Sequence, residues 1–270
     1  MQDHPLGSAL PAWQVRAHND AVDSGNAIHE DGTAQRYGFG GGLVPGVTTY
    51  GYLLHGVIAA LGADFLRGGA SSVRLRRPVY AGETVTVSAR VSARTATVVE
   101  FELEARNPAG EVCAQGSASY PVGAADSAAP PPRAPLPEPR LPATPEALRD
   151  LPLLGSFTCA QSPAEAASFV AAMGDAALAP YRDCLHPAWL LRQANYLVDR
   201  NLELGPWIHT ASEVRHLGLA RPGETLEVRG AVRELSVRNG HDHAAFDVYI
   251  EGERPVMRVL HRAIYRLAAP

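Results

Sequence analysis

His29 stands in a short polar segment that also carries Asp23, Ser24 and Asn26, and a glycine-rich turn leads from it to Gly46, where a long apolar run begins. Histidine takes and returns a proton near neutral pH, and a neighbouring carboxylate such as Asp23 would orient it or share the proton. Asn26 and Ser24 are side chains that fix loops and hold water. A glycine at a helix start leaves the first backbone N–H groups open, and a helix N-terminus favours developing negative charge. An acid–base residue followed by such donors supplies two of the parts that chemistry on an acyl thioester needs: one group to move a proton, and another to hold the carbonyl oxygen.

The elements that must position these residues follow from periodicity. From about Val44 the apolar residues Val47, Tyr50, Leu54, Val57, Ile58, Leu61 and Phe65 recur at three- and four-residue steps, which predicts a buried helix. Pro45 suits its first turn, and Gly68-Gly69 ends it. Ahead of the polar segment, Trp13 to His18 alternates as a strand does. Beyond the helix the period changes to two, in SVRLRRPVY, ETVTVSARV, TATVVEFELEARN and EVCAQGSASY, with turns at Ala81-Gly82 and Pro108-Ala109-Gly110. One long helix followed by an antiparallel meander is an α+β layout in which the sheet wraps the helix.

Residues 121–145 are so rich in proline that an extended, semi-rigid connector is expected. Beyond it the pattern repeats. Val44-Pro45-Gly46 and Leu185-His186-Pro187 stand at one offset, and the same offset carries Gly82-Glu83-Thr84 onto Gly223-Glu224-Thr225 and Ser71 and Arg74 onto Ser212 and Arg215. A constant shift through helix, turn and strand means two copies of one unit. The boundaries expected are 1–120 for the first unit, 121–150 for the connector and 151–270 for the second. His29 falls on Val170 of the second copy, within a plain capped-helix pattern, so one working cleft is expected, with the second unit as its wall.

Composition excludes several classes. A net charge of −4 gives no electrostatic basis for binding nucleic acid or an anionic membrane. The N-terminus lacks a signal-peptide pattern, and His55 and Asp64 interrupt the longest apolar run, so neither export nor a spanning helix is expected. Three scattered cysteines, Cys113, Cys159 and Cys184, fit a reducing, cytoplasmic setting. No metal is expected: CxxC spacing is missing, and His241-Asp242-His243 follows the Asn239-Gly240 hairpin without a third ligand. The FGGGLVPG turn lacks the lysine of a phosphate loop.

The tandem arrangement resembles the double hot-dog proteins. The stretch SGNAIHEDGTAQRYGFGGGLVPG resembles more narrowly the MaoC-like, (R)-specific enoyl-CoA hydratases, through Asn26, Ile28, His29, Asp31, Ala34, Gly38, Phe39 and Gly46. It departs from that pattern where Ser24 takes the place of the aspartate, with Asp23 one residue earlier. Ala27 replaces a proline, and Pro45 replaces a histidine. The resemblance implies a hydratase/dehydratase that uses no cofactor beyond the CoA or phosphopantetheine of its acyl-CoA or acyl-carrier-protein substrate. It implies that His29, with Asp23 or Ser24, handles water, that Asn26 fixes the loop, and that Gly46 donates to the thioester oxygen. Phe39, Val44, Pro45, Tyr50, His186 and Arg192 are the expected substrate contacts, along a tunnel between the units that ends at His29. Arg192, Gln193 and Asn195 are polar residues in a helix expected to be buried, and so are candidate pocket contacts. The chain would be a pseudo-dimer, alone or paired again. Two other readings fit the same pattern. One is a non-catalytic acyl-binding or cyclase-like tailoring protein. The other is a thioesterase, which needs a helix carboxylate facing the cleft, whereas Asp64, Asp199 and Glu203 all stand late in their helices.

Overall fold

The computed structural model describes residues 4–21, 24–122 and 129–268, so Asp23 lies outside the described residues. The first half runs β1 (Trp13–Arg16), a 3-10 turn (Ala27–His29), α1 (Asp31–Arg36), α2 (Gly46–Leu61), α3 (Ala63–Gly68), β2 (Ala70–Leu75), β3 (Thr84–Arg94), β4 (Val99–Arg106) and β5 (Val112–Tyr120). The second half runs β6 (Leu141–Pro142), α4 (Pro145–Asp150), β7 (Leu153–Cys159), α5 (Pro163–Ala172), a 3-10 turn (Ala179–Arg182), α6 (Pro187–Asn201), β8 (Leu202–Glu203), β9 (Ile208–His216), β10 (Leu226–Arg238), β11 (His241–Glu251) and β12 (Pro255–Arg266).

Ten strands form one antiparallel sheet in the order β1-β3-β4-β5-β2-β9-β12-β11-β10-β7. Its middle is the pairing of β2 with β9, where Val73 lies opposite Ser212. Outward from that seam the two halves have corresponding orders. Strand alternation sets the faces: Val99, Phe101, Leu103 and Ala105 of β4 point inward while Glu100 and Glu102 point out. Beneath the sheet α2 and α6 pack against each other. Leu53, Leu54, Val57 and Ile58 are buried, each contributing roughly 1.5–3 kcal/mol. A Cβ on Gly51 would lie 2.5 Å from Met173 and 2.8 Å from Ala188, so a glycine lets the helices approach.

The repeat is carried down to single bonds. α2 begins at Gly46 and α6 at Pro187, the offset read from the sequence. Gly82 and Gly223 both take φ +85°, and in each turn the following glutamate accepts a backbone N–H, Glu83 from Tyr80 (3.0 Å) and Glu224 from Arg221 (2.8 Å). The expectation of one helix as far as Gly68 is corrected: Gly62, at φ +64°, stops α2 and α3 restarts. The described part of the connector after residue 128 is part of the second half's packing. Ser156 N–H donates to the Ala134 carbonyl (2.8 Å), and Leu141–Pro142 pair with β8 in parallel. Asn239 (φ 51°) and Gly240 (φ 78°) form the hairpin turn between β10 and β11.

Candidate active site

His29 is held on three sides. The side chain of Asn26 caps its 3-10 turn by accepting from Ile28 N–H, and the Asn19 amide donates to the His29 carbonyl (2.9 Å). The ring Nδ1 is 2.7 Å from the Leu43 carbonyl oxygen. A carbonyl can only accept, so Nδ1 carries the proton and Nε2 offers a lone pair. Among the described residues Nε2 has no hydrogen-bond partner. Burial lowers the His29 pKa below the ordinary histidine value. The Leu43 bond and the charge of Asp20 oppose that shift, and Arg192 adds to it. The imidazole is therefore neutral at pH 7 and is a base. The glycine-rich turn serves this geometry: a Cβ on Gly42 would sit 2.1 Å from the His29 carbonyl oxygen, and the Gly42 N–H donates to Asp31 (2.7 Å).

His29 faces a cleft of about 30 Å³ between the halves, walled by Asp20, Ser24, Asn26, Pro45 and Val47 on one side. Arg192, Asn195, Tyr196 and Asp199 of α6, with Trp207, form the other. Asp20 pairs with Arg192 across the boundary and accepts from the Thr48 hydroxyl (3.0 Å). Asn26 exchanges two bonds with the Trp207 backbone, at 3.0 and 3.3 Å. Asp199 is half-exposed, and desolvation raises its carboxyl pKa against Arg140 and Arg200. Sequence reasoning missed Asp20: it lies outside the motif, and only its place in a run of polar residues, His18-Asn19-Asp20, signals it.

Of the residues expected at the site, His29, Ser24, Asn26, Pro45 and Arg192 meet at the cleft, and the candidate Asn195 joins them. Several do not. Phe39 packs with Tyr37 and Tyr80 beside Ile28, and Val44 is in the main core, its N–H bonded to Val79. Tyr50 is wholly buried beneath the sheet, 2.9 Å from Ser71 Oγ. His186 caps α6 by accepting from Ala188 N–H and bonds Asp175 (2.9 Å), which also binds His55 at 2.5 Å. Gln193 donates to the Trp189 carbonyl instead of reaching the cleft. Gly46 is a glycine because Leu75 and His209 press on it, at 2.2 and 2.6 Å from a notional Cβ. The cleft at His29 is also too small to be the long tunnel expected. Asp199 corrects the view that no late-helix carboxylate reaches it.

A second acid crosses between the halves in the opposite direction, at positions the repeat does not relate, and without the opening. Asp20 precedes α2 and reaches Arg192 on α6, whereas Asp175 precedes α6 and reaches His55 on α2. Trp13 stacks on His55 at 3.9 Å, and Asp175 and His186 are sealed. Among the described residues no cluster of histidine, cysteine and carboxylate groups is arranged to hold a metal ion. No described helix is long and apolar enough to cross a membrane.

No family model matches the sequence, and no curated protein matches it. Solved structures do. A provisionally assigned MaoC domain protein dehydratase from Chloroflexus aurantiacus superposes with a TM-score of 0.65 at 12% identity, over 99% of this chain and 97% of that one. A Mycobacterium tuberculosis protein described as having a double hot-dog fold gives 0.66 at 12%, over 96% of each chain. This chain has the double hot-dog fold. A provisionally assigned oleoyl thioesterase from Lactobacillus plantarum also matches, with a TM-score of 0.53 at 14% identity over 97% and 98%. Proteins described as a dehydratase and as a thioesterase share this fold, so the fold alone assigns no activity.

Proposed function

We propose that the chain adds water reversibly across the double bond of a trans-2-enoyl thioester carried on CoA or an acyl-carrier protein, in a reducing, cytoplasmic setting. The observation that carries this reading is the tautomer of His29, with Nδ1–H tied to Leu43 and Nε2 left as a base in the cleft beside the start of α2. Nε2 takes a proton from water as the water oxygen bonds Cβ. The double-bond electron pair moves through Cα onto the thioester oxygen, where the N–H of Val47, a cleft residue ahead of the first intrahelical donors Thr48 and Thr49, stabilises it. The imidazolium then returns its proton to Cα, so the sum is one water added. Asp20, anchored by Arg192 and Thr48, places a carboxylate near the imidazolium while that charge exists. Ser24 has no basic pKa near neutrality and can only hold water.

One observation favours a second reading. Asp199 lines the cleft with its carboxyl pKa raised, as a thioesterase base would be.

Hydration of crotonyl-CoA and longer trans-2-enoyl-CoAs, followed at the enoyl absorbance, tests both. Wild type turns over, and His29→Ala and Asp20→Asn lower kcat, the former by about 10²–10⁴-fold. If wild type hydrates none of these substrates but releases thiol from saturated acyl-CoAs, and Asp199→Asn stops the release, the protein is a thioesterase.

A further inference from the structure

Two polar atoms in the cleft have no use in the fold. Ser24 Oγ and Asn195 Oδ1 are wholly shielded and make no hydrogen bond among the described residues, although both residues line the space that His29 faces. Leaving such a group unpaired is destabilising, and the usual remedy is an ordered water. The cleft volume, about 30 Å³, exceeds the roughly 10–15 Å³ that one water requires.

We infer that Ser24 Oγ, Asn195 Oδ1 and His29 Nε2 together form the seat of the attacking water, with Asn195 of the second half as its positioning residue. The role in attack rests on the hydratase reading above, whereas the water seat itself does not. The valences match. Water has two hydrogens, and the cleft offers two acceptors, His29 Nε2 and Asn195 Oδ1. Ser24 O–H donates to one lone pair of the water. The other lone pair is left free and points away from all three, toward an incoming Cβ. When the oxygen–Cβ bond forms, the hydrogen on the His29 side moves to Nε2 and the hydrogen on the Asn195 side stays on the product hydroxyl. This arrangement does without the carboxylate that Ser24 displaces, because an amide oxygen fixes the second hydrogen with no proton of its own to exchange.

The water seat also gives α6 a task that its burial pattern leaves unexplained. Asn195 stands between Arg192, committed to Asp20, and Tyr196, another cleft residue, so successive positions of the second half anchor the acid, orient the water and wall the cleft.

The test is a crystal structure of the full chain, with ordered waters resolved, for wild type, Asn195→Leu and Asn195→Asp, alongside kinetics on crotonyl-CoA. Wild type shows one ordered water bonded to all three atoms. Asn195→Leu loses it and loses kcat by about 10- to 100-fold with KM unchanged. Asn195→Asp, which keeps an acceptor of the same shape, retains the water and recovers most of kcat. A wild-type cleft without that water, or an Asn195→Leu protein that keeps the water or wild-type kcat, overturns the assignment. Should wild type hydrate no enoyl-CoA while the water is present and lost in Asn195→Leu, the seat stands and the hydratase reading fails.

Discussion

A neutral histidine with one nitrogen committed is a base with a built-in pH limit. Burial lowers the His29 pKa, so the proton that would block Nε2 is bound only below the usual histidine range. If His29 is the base, kcat/KM rises with pH through a midpoint below 6.5, the ordinary histidine value. The same profile in His29→Ala would remove that assignment. Much of this residue's setting is legible in the sequence, because Asn26, His29 and the glycine turn are neighbours along the chain. Asp20 is not legible, since only the fold brings it to the cleft. Tyr50 and His186 lie away from the cleft for a physical reason: residues at a helix start or on an apolar stripe declare burial, but not which cavity or core they face.

At the scale of elements, the seam strands carry a second set of histidines. His216 Nε2 bonds Ser71 Oγ (3.1 Å) across β2 and β9, and His209 and His261 flank Ser212 Oγ at 2.9 and 3.0 Å, their rings stacked. Desolvation pushes His216 down to about 3 and His209 to about 4, and His261 falls well below its usual value through desolvation and the neighbouring His209. Unfolded, each takes a proton near pH 6.5, so the unfolded state binds more protons at every pH between that value and the folded pKa. Stability is therefore full above pH 6.5 and is lost as pH falls, at a slope approaching about 1.4 kcal/mol per unit for each histidine. Urea midpoints measured at pH 7.5 and 5.5 should differ by an amount equivalent to about 4 kcal/mol for the three together, a large part of a typical 5–15 kcal/mol. His216→Asn should flatten the dependence, and equal midpoints at both pH values would contradict it. The sequence repeat makes these strands predictable, because a constant offset needs no packing knowledge. It could not show that the same strands bury titratable groups, nor that Gly62 interrupts the helix beneath them.

For the whole molecule, one antiparallel sheet joins both copies through β2 and β9, and every functional wall of the cleft is split between them: His29 and Ser24 on one side, Arg192 and Asn195 on the other. Two-copy architecture and α+β class follow from periodicity and offset. The unequal fate of the two pre-helix acids, one at an open cleft and one sealed under Trp13, does not, since it depends on side chains that meet only after the halves pack.

That continuous sheet has a consequence for dilution. In a site assembled from two separate chains, occupancy of the complete site falls as the protein becomes scarce, because association must compete with the loss of free translation. Here the connector and the β2–β9 pairing make the second half a permanent tenant, at an effective concentration that no dilution lowers. Turnover per chain should therefore be constant from micromolar to low nanomolar enzyme. A fall in specific activity over that range would mean that a further copy of the chain completes the site.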